Sequence, residues 1–336
     1  MSLQRRRFES LSRISVRSLL VLACLGTAAA SAQEPAYPSK PIRIVVPAAP
    51  GGVTDTLGRA LSQQFTKSWG HQAVVENRAG ANNIIAAEHV AKSAPDGYTL
   101  FLTPEPTFVI NPSLYSKLPY DPVKDFAPIT GLIVINQALV AHSSVPANSV
   151  KELIGLARAK PEGRSYASFG VGSSAHLNMA MFETMAKVRF NHIQYKGAAP
   201  ALNDVVAGHV DIMFVNVSSA LQQWKAGKIK ILAMGSARRL ARFPEVPTVA
   251  ESDLPGFEAT SWFGLFATGG TPREIDLKLN TEVRRLFSDP GFQEKMLTPN
   301  LFESVTNSPE QLAELIRTQT EKWERVIREA RVVKLN

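Results

Sequence analysis

Two loops set the terms on which this chain can fold. The first, Pro50-Gly51-Gly52-Val53-Thr54-Asp55, joins the apolar run at 42–46 to a helical pattern. The second, Ser168-Phe169-Gly170-Val171-Gly172-Ser173-Ser174, does the same more than a hundred residues later. Each places small residues ahead of a helix, where backbone N–H groups lack intrahelical acceptors and the helix end carries partial positive charge. Such a start binds an anion without needing a lysine. Two of them, each in its own strand–helix series, predict a clamp of two α/β lobes around a small anion, each lobe with its own core.

The rest of the pattern agrees. Apolar runs at 42–46, 72–75, 98–102, 166–169, 192–195, 211–217 and 229–234 read as strands. Helical patterns alternate with them, and that alternation predicts mainly parallel sheets flanked by helices. Leu57, Leu61 and Phe65 recur at i, i+4 and i+8, with Gly70 as the C-cap of the helix they define. Capping boxes are read at Ser149–Glu152, Thr271–Glu274 and Ser308–Gln311, the last two with Pro at the first helical position. Leu312, Leu315, Ile316, Trp323, Val326 and Ile327 form the apolar face of a final helix, and Met179, Met181 and Met185 read as core filling.

Residues 1–32 read as a secretory signal peptide. Arg5, Arg6, Arg7, Arg13 and Arg17 make a basic start, 18–30 is a short apolar run, and Ala30-Ser31-Ala32 is a cleavage site. Arg5-Arg6-Arg7-Phe8 fits the opening of a twin-arginine signal as well as an ordinary one. Val21-Leu22-Ala23-Cys24 loosely resembles a lipobox, but little apolar run precedes Cys24, which favours a small apolar residue inside the signal. Cys24 is the one cysteine, so the mature chain is expected to lack both disulfides and a thiolate nucleophile. No later stretch approaches ~18 unbroken apolar residues, and a soluble mature protein is expected. Five arginines and Glu9 in the first 32 residues account for half of the formal +8 charge. The remaining basic residues are scattered among acidic ones, which suits an anionic solute and argues against nucleic acid.

Most enzyme chemistries find no support. The Gly51-Gly52 loop lacks the Gly-Lys-Ser/Thr ending of a P-loop and is not G-x-G-x-x-G. No G-x-S-x-G elbow surrounds Ser173 or Ser174, and the six histidines show no metal-ligand spacing. Asp55 and Asp204 are a conceivable carboxylate pair, but helix capping and turn roles explain them equally. A binding protein is the better reading, with no cofactor and no metal.

Several motifs in order carry a resemblance. They are Pro50-Gly51-Gly52-Val53-Thr54-Asp55 with Arg59, Glu76-Asn77-Arg78-Ala79-Gly80-Ala81, Asn111-Pro112-Ser113-Leu114-Tyr115, Leu118-Pro119-Tyr120-Asp121-Pro122, Asp125-Phe126-Ala127-Pro128, Gly172-Ser173 with His176-Leu177, Tyr195-Lys196-Gly197 and Phe243-Pro244-Glu245-Val246-Pro247-Thr248. The chain resembles the extracytoplasmic solute-binding proteins of tripartite tricarboxylate transporters, the Bug-type receptors. The resemblance implies a two-lobe, type II periplasmic binding protein of the Venus-flytrap kind. Its first lobe would be residues 33–136 with 262–336 and its second 137–261, two crossing strands serving as the hinge. It implies a monomeric periplasmic receptor that captures a small organic carboxylate in the cleft and delivers it to membrane permease subunits. The alternative is a ligand sensor that docks on a sensor kinase. Carried over residue by residue, the contacts are Gly51, Gly52 and Asp55, Gly80 and Ala81, and Ser168, Gly172 and Ser173, with Tyr195 and Gly197 lining the second-lobe side. Two departures bear on the ligand. Ala48 stands where an aromatic is common, and Asn82-Asn83 stand where Gly or Ser is common, so Asn83 is a further candidate contact.

Overall fold

The computed structural model describes residues 37–336, and all the elements below lie within Lys40–Asn336, one of two units separated by backbone contacts. The signal-peptide reading of 1–32, Cys24 included, lies outside the described residues. The chain begins with β1 (Ile42–Val46), buried at four of five positions, and passes to α1 (Val53–Trp69). Leu57, Leu61 and Phe65 bury the inner face of α1, and Gly70 ends it in the left-handed conformation, its N–H bonded to Thr66 O. Next come β2 (Ala73–Asn77), α2 (Ile84–Ala91), β3 (Thr99–Pro104) and two single turns, α3 (Pro106–Val109) and α4 (Asn111–Leu114). β1 pairs in parallel with β2 on one side and β3 on the other.

β4 (Phe126–His142) is one long strand that none of the apolar runs read from the sequence includes. Beyond it lie α5 (Val150–Ala159), β5 (Ser165–Ser168), α6 (Ser174–Ala186), β6 (Asn191–Gln194), α7 (Ala198–Val206), β7 (Ile212–Asn216), α8 (Val217–Lys225) and β8 (Ile229–Met234). The chain returns through β9 (Thr260–Thr268), α9 (Arg273–Phe287), short turns across 290–300, β10 (Phe302–Ser304) and the long α10 (Pro309–Glu329).

Two sheets result, and β4 belongs to both. Its first part, to Asn136, pairs antiparallel with β9, whose other edge pairs antiparallel with β3, and β10 lies on the far side of β4. From Gln137 onward β4 runs antiparallel to β7 and β8, and β5 joins β7 and β6 in parallel. Both sheets are mixed rather than mainly parallel: β1, β2 and β3 pair in parallel, as do β5, β6 and β7, whereas every pairing of β4 and β9, including those with β8 and β10, is antiparallel because these two strands carry the chain between the sheets. Gly235 sits at the crossing: its N–H donates to Gln137 O (2.7 Å) and its carbonyl accepts from Ala259 N (2.7 Å). A Cβ there would lie 2.6 Å from Ala259 O, so three chain segments meet at a spacing that a side chain would prevent.

Two further sequence expectations change. The cores are not separate: one buried cluster runs from Val45, Phe101 and Leu114 to Leu139, Phe182, Phe214 and Phe257, joined by Leu312, Trp323 and Ile327 of α10. An amphipathic helix of 21 residues is long enough, at about 1.5 Å per residue, to lie along both sheets. The capping box at Thr271–Glu274 does not form. Thr271 turns its hydroxyl back to Thr268 O (2.8 Å) and α9 starts after Pro272 without a side-chain cap. The box at Ser308–Gln311 forms fully, and Ser149 accepts from Glu152 N while the Glu152 carboxylate reaches Asn148 N. Met179 and Met181 fill core as read.

Candidate functional site

Parallel strands deliver their following loops to one edge of a sheet, where ligands of open α/β folds bind. In the first sheet these loops are 47–52 after β1 and 78–83 after β2. Among the described residues, the N–H groups of Val53 and Thr54 at the start of α1 find no acceptor. Asp55, one turn in and 3 % exposed, accepts from Gly51 N (2.9 Å), from the Arg59 Nε and Nη2 fork (2.9 and 3.1 Å) and from Asn77 Nδ2 (2.9 Å). Arg59, then the Gly51 N–H and Asn77, hold the Asp55 carboxyl down at about 2 against the cost of burial. Both carboxylate oxygens are thus occupied within the chain. What Asp55 does in this geometry is fix the Gly51-Gly52 loop. Asn77 also donates to Ala48 O (3.0 Å), tying the second loop to the first.

The second loop holds three successive non-glycine residues in left-handed backbone: Ala81 (φ 45°), Asn82 (φ 48°) and Asn83 (φ 74°). Each costs roughly 1–2 kcal/mol, and such runs persist only where neighbours over-determine them. The neighbour is Asn111, fully buried at the head of α4, which accepts from Asn82 Nδ2 (2.8 Å) and donates to Asn82 O (2.9 Å). Asn111 also donates to Tyr120 Oη (3.3 Å), which donates to Thr107 O (2.7 Å). The Asn83 side chain has no hydrogen-bond partner among the described residues.

In the second sheet, Ser168 is fully buried, with its hydroxyl against His192 Nε2 (2.7 Å). Its carbonyl accepts from Tyr195 N (2.9 Å). Ser173 is the N-cap of α6: its hydroxyl accepts from His176 N (3.3 Å) and donates to Gly170 O (2.7 Å). The adjacent N–H groups of Ser174 and Ala175 find no acceptor among the described residues. Gly172 N donates to His176 Nδ1 (3.2 Å), which places the imidazole proton on Nε2. His176 stacks on His192 (4.8 Å) and His192 on Tyr166 (4.6 Å). Burial, then the neighbouring His192, push His176 down to about 4, and burial also lowers His192, so His176 is neutral at pH 7. The Tyr195 hydroxyl donates to Asp204 Oδ2 (2.6 Å), and Gly197 opens α7 without a side-chain cap. Asp55 and Asp204 therefore each have their own partners rather than one another.

The structure joins these loops into one band. Asn77 links Ala48 and Asp55, Asn82 links to α4 through Asn111, and Leu114 of α4 fills the space that a Cβ on Gly172 would need. Gly172 also has φ +79°, so a side chain there would be strained as well as crowded. The Ser168–Tyr195 bond completes the band to Gly197. Asn111, Tyr120 and His192 escaped assignment as functional residues; the first two sit in the quoted motifs, whereas no local signal marks His192. In the Gly51-Gly52 and Gly172-Ser173 loops the free groups that could hold an anion are backbone N–H donors. Among the described residues no group of three His, Cys, Asp or Glu side chains is placed to hold a metal, and no helix is long and apolar enough to cross a membrane.

Comparison with known proteins gives concordant results. Residues 57–332 match the model of the tripartite tricarboxylate transporter family receptor. The chain is 35% identical over 324 residues to a Pseudomonas sp. (strain P51) protein from the tcbD-tcbE intergenic region, covering 96% of each. It is 33% identical over 302 residues to protein BugT of Bordetella pertussis, covering 90% of this chain and 92% of BugT. Among solved structures it is similar to R. palustris Rpa4515 with adipate, with TM-score 0.78 and 33% identity over 89% of this chain and all of that one. It is also similar to MatC (Rpa3494) from Rhodopseudomonas palustris with bound malate, with TM-score 0.73 and 31% identity over 87% of this chain and all of that one.

Proposed function

The chain belongs to the tripartite tricarboxylate transporter receptor family, and on that premise we propose that it captures a small organic carboxylate between its lobes and hands it to membrane permease subunits. The family consists of periplasmic solute receptors and not enzymes. The observation that carries the ligand class is the pair of helix starts, α1 and α6, whose N–H groups lack acceptors in a band where Asp55 and Arg59 neutralise each other. The adipate and malate held by the two Rhodopseudomonas palustris proteins support a linear diacid. In this reading Gly52 and the first turns of α1 and α6 hold its carboxylates, while Gly51 and Gly172, whose N–H groups are engaged by Asp55 and His176, set the loop shapes. Gly80, Ala81, Asn83, Tyr195 and Gly197 shape the walls, while Asp55, Ser168 and Ser173 position the loops. The lobes are 33–136 with 262–336 and 137–261; the handover of β4 from β9 at Asn136 to β7 at Gln137 supports that division. Export as a monomer after removal of 1–32 completes the reading.

The test is a thermal melt of the purified mature chain with adipate and with malate, beside native mass spectrometry of protein purified without refolding. A ligand at ~100 times its Kd stabilises by about 2.7 kcal/mol, a plainly visible shift. A retained acid, or a shift with either diacid, supports the reading. No shift with either and no retained acid would refute it.

A further inference from the structure

Away from the loop band, the carboxyl of Glu105 is buried where the return crossing enters the first sheet. Glu105 follows β3 and is 1 % exposed. Its N–H donates to Trp262 O (3.0 Å) and its Oε2 accepts from Trp262 N (3.0 Å), so backbone and side chain together grip β9 at its third residue. Its carbonyl caps α3, accepting from Phe108 N (2.9 Å) and Val109 N (3.1 Å). Its other carboxyl oxygen, Oε1, is buried without a partner, as are the indole nitrogens of Trp262 and Trp323. From α10, half-buried Lys322 donates to Glu258 O (2.8 Å), just ahead of the same strand. Residues 258–262 are therefore held from two sides by ionisable side chains of the first lobe.

A carboxylate with one free oxygen in such a place is costly, because an ion out of water needs its lone pairs satisfied. The neutral acid is the form that fits. Desolvation is the largest influence on Glu105 and lifts it to about 8, offset in part by the Trp262 N–H and by Lys322, while Glu258 pushes it further up. Those two are the charged groups that face it; α3 and β9 contain no titratable residue. Desolvation in turn lowers Lys322.

We propose that Glu105 is a proton-controlled clasp on the return crossing: while its carboxyl is neutral it holds residues 258–262 to the first sheet, and its ionisation releases that segment and frees the second lobe to swing. The proton goes to solvent, and the carboxylate gains the water that burial denies it. This rests on the proposed lobe boundary at 261–262, where the return strand β9 is one of the two crossings that serve as the hinge.

The test uses the full mature chain without ligand. Amide exchange of peptides covering 258–264, with tryptophan fluorescence in parallel, is followed from pH 6 to 10 in wild type and in Glu105→Gln, a neutral isostere. Comparison at equal pH cancels the intrinsic chemistry of exchange. Wild type should lose protection with a midpoint near 8, and Glu105→Gln should keep its protection throughout. Lys322→Met should move the wild-type midpoint up and Glu258→Gln should move it down, and these two variants decide the matter if Glu105→Gln does not fold. A flat wild-type profile, an identical transition in Glu105→Gln, or midpoints that ignore both charge changes would overturn the clasp. Adipate and malate melts are independent: failure there sinks the receptor reading and leaves this titration intact.

Discussion

Gly172→Ala, alone and with Leu114→Ala, tests whether the second-sheet loop is seated against α4. A Cβ on Gly172 would overlap Leu114 Cδ2, with Cγ at 3.5 Å and Cδ1 at 3.6 Å. Leu114 is fully buried, so relieving the overlap means repacking its side chain within the core. The alanine meets two costs. Left-handed backbone, at φ +79°, costs about 1–2 kcal/mol for a residue with a Cβ. Overpacking against a fixed neighbour adds roughly 1–3 kcal/mol. Leu114→Ala alone should lose about 2–5 kcal/mol as a buried large-to-small change. It also deletes all three atoms that the new Cβ would meet, so the double variant should recover the overpacking cost and keep only the backbone one. Urea unfolding of the four proteins gives the cycle, and we expect a favourable coupling of about 1–3 kcal/mol. Additive losses, within about 0.5 kcal/mol, would show that the loop and α4 do not touch and would undo the continuity of the band.

Three further outcomes follow from the same geometry. Ser173→Ala should lower the stability of the unliganded protein by about 1 kcal/mol, the worth of an N-cap, and an unchanged thermal midpoint would show that the hydroxyl is free for a ligand instead. Asp55 is held down at about 2 from 3.8, so its contribution is full above 3.8 and drains away as the pH falls towards 2. Acid titration of wild type against Asp55→Asn should therefore show the wild-type advantage shrinking across that window, and a constant gap would contradict the Arg59–Gly51–Asn77 assignment. N-terminal sequencing of exported protein should begin at Gln33; a lipidated start at Cys24 would replace the cleaved signal with an anchor.

The legible parts of the fold were those written in local periodicity. Seven of the strands were visible as apolar runs, and their observed limits fall within one or two residues of the reading. What eluded the sequence depends on partners distant in the chain. β4 is missing from the runs read as strands because Pro128, Thr130 and Gly131 interrupt its apolar pattern, and the ladder accommodates them with two register shifts against β9. The left-handed run at 81–83 has no local cause: Asn111, some thirty residues on, makes it affordable by closing two hydrogen bonds. At the site, glycines and serines were legible as loop chemistry, but which serine caps and which faces outward was not. Ser173 and Ser174 are equivalent in sequence, and only the turn at Gly170 selects Ser173 as the cap. His192 carried no motif, and His176 stood in one without a role of its own, because the two rings fill and orient. A neutral His176 that accepts the Gly172 N–H shapes the loop without adding charge.

That neutrality has a consequence for how such a site would work. A free arginine or lysine in the band would bind a carboxylate through a charge pair that, once desolvated, is slow to break. Here Arg59 is tied to Asp55, the paired histidines sit below their ordinary range, Asp204 is engaged by Tyr195 and His209, and Lys196 in the Tyr195–Gly197 turn is exposed, so that it meets a ligand in water rather than desolvated. In the proposed cleft, recognition would rest mainly on backbone donors, each worth roughly 1.5–3 kcal/mol toward a charged partner and each contributed by a loop of one proposed lobe. Grip then depends on how many donors converge, and hence on how far the lobes are closed. A hinge that opens removes half of them at once, so the ligand leaves without any single strong bond having to break. For a receptor that must surrender its cargo, affinity set by closure is a better design than affinity set by one ion pair.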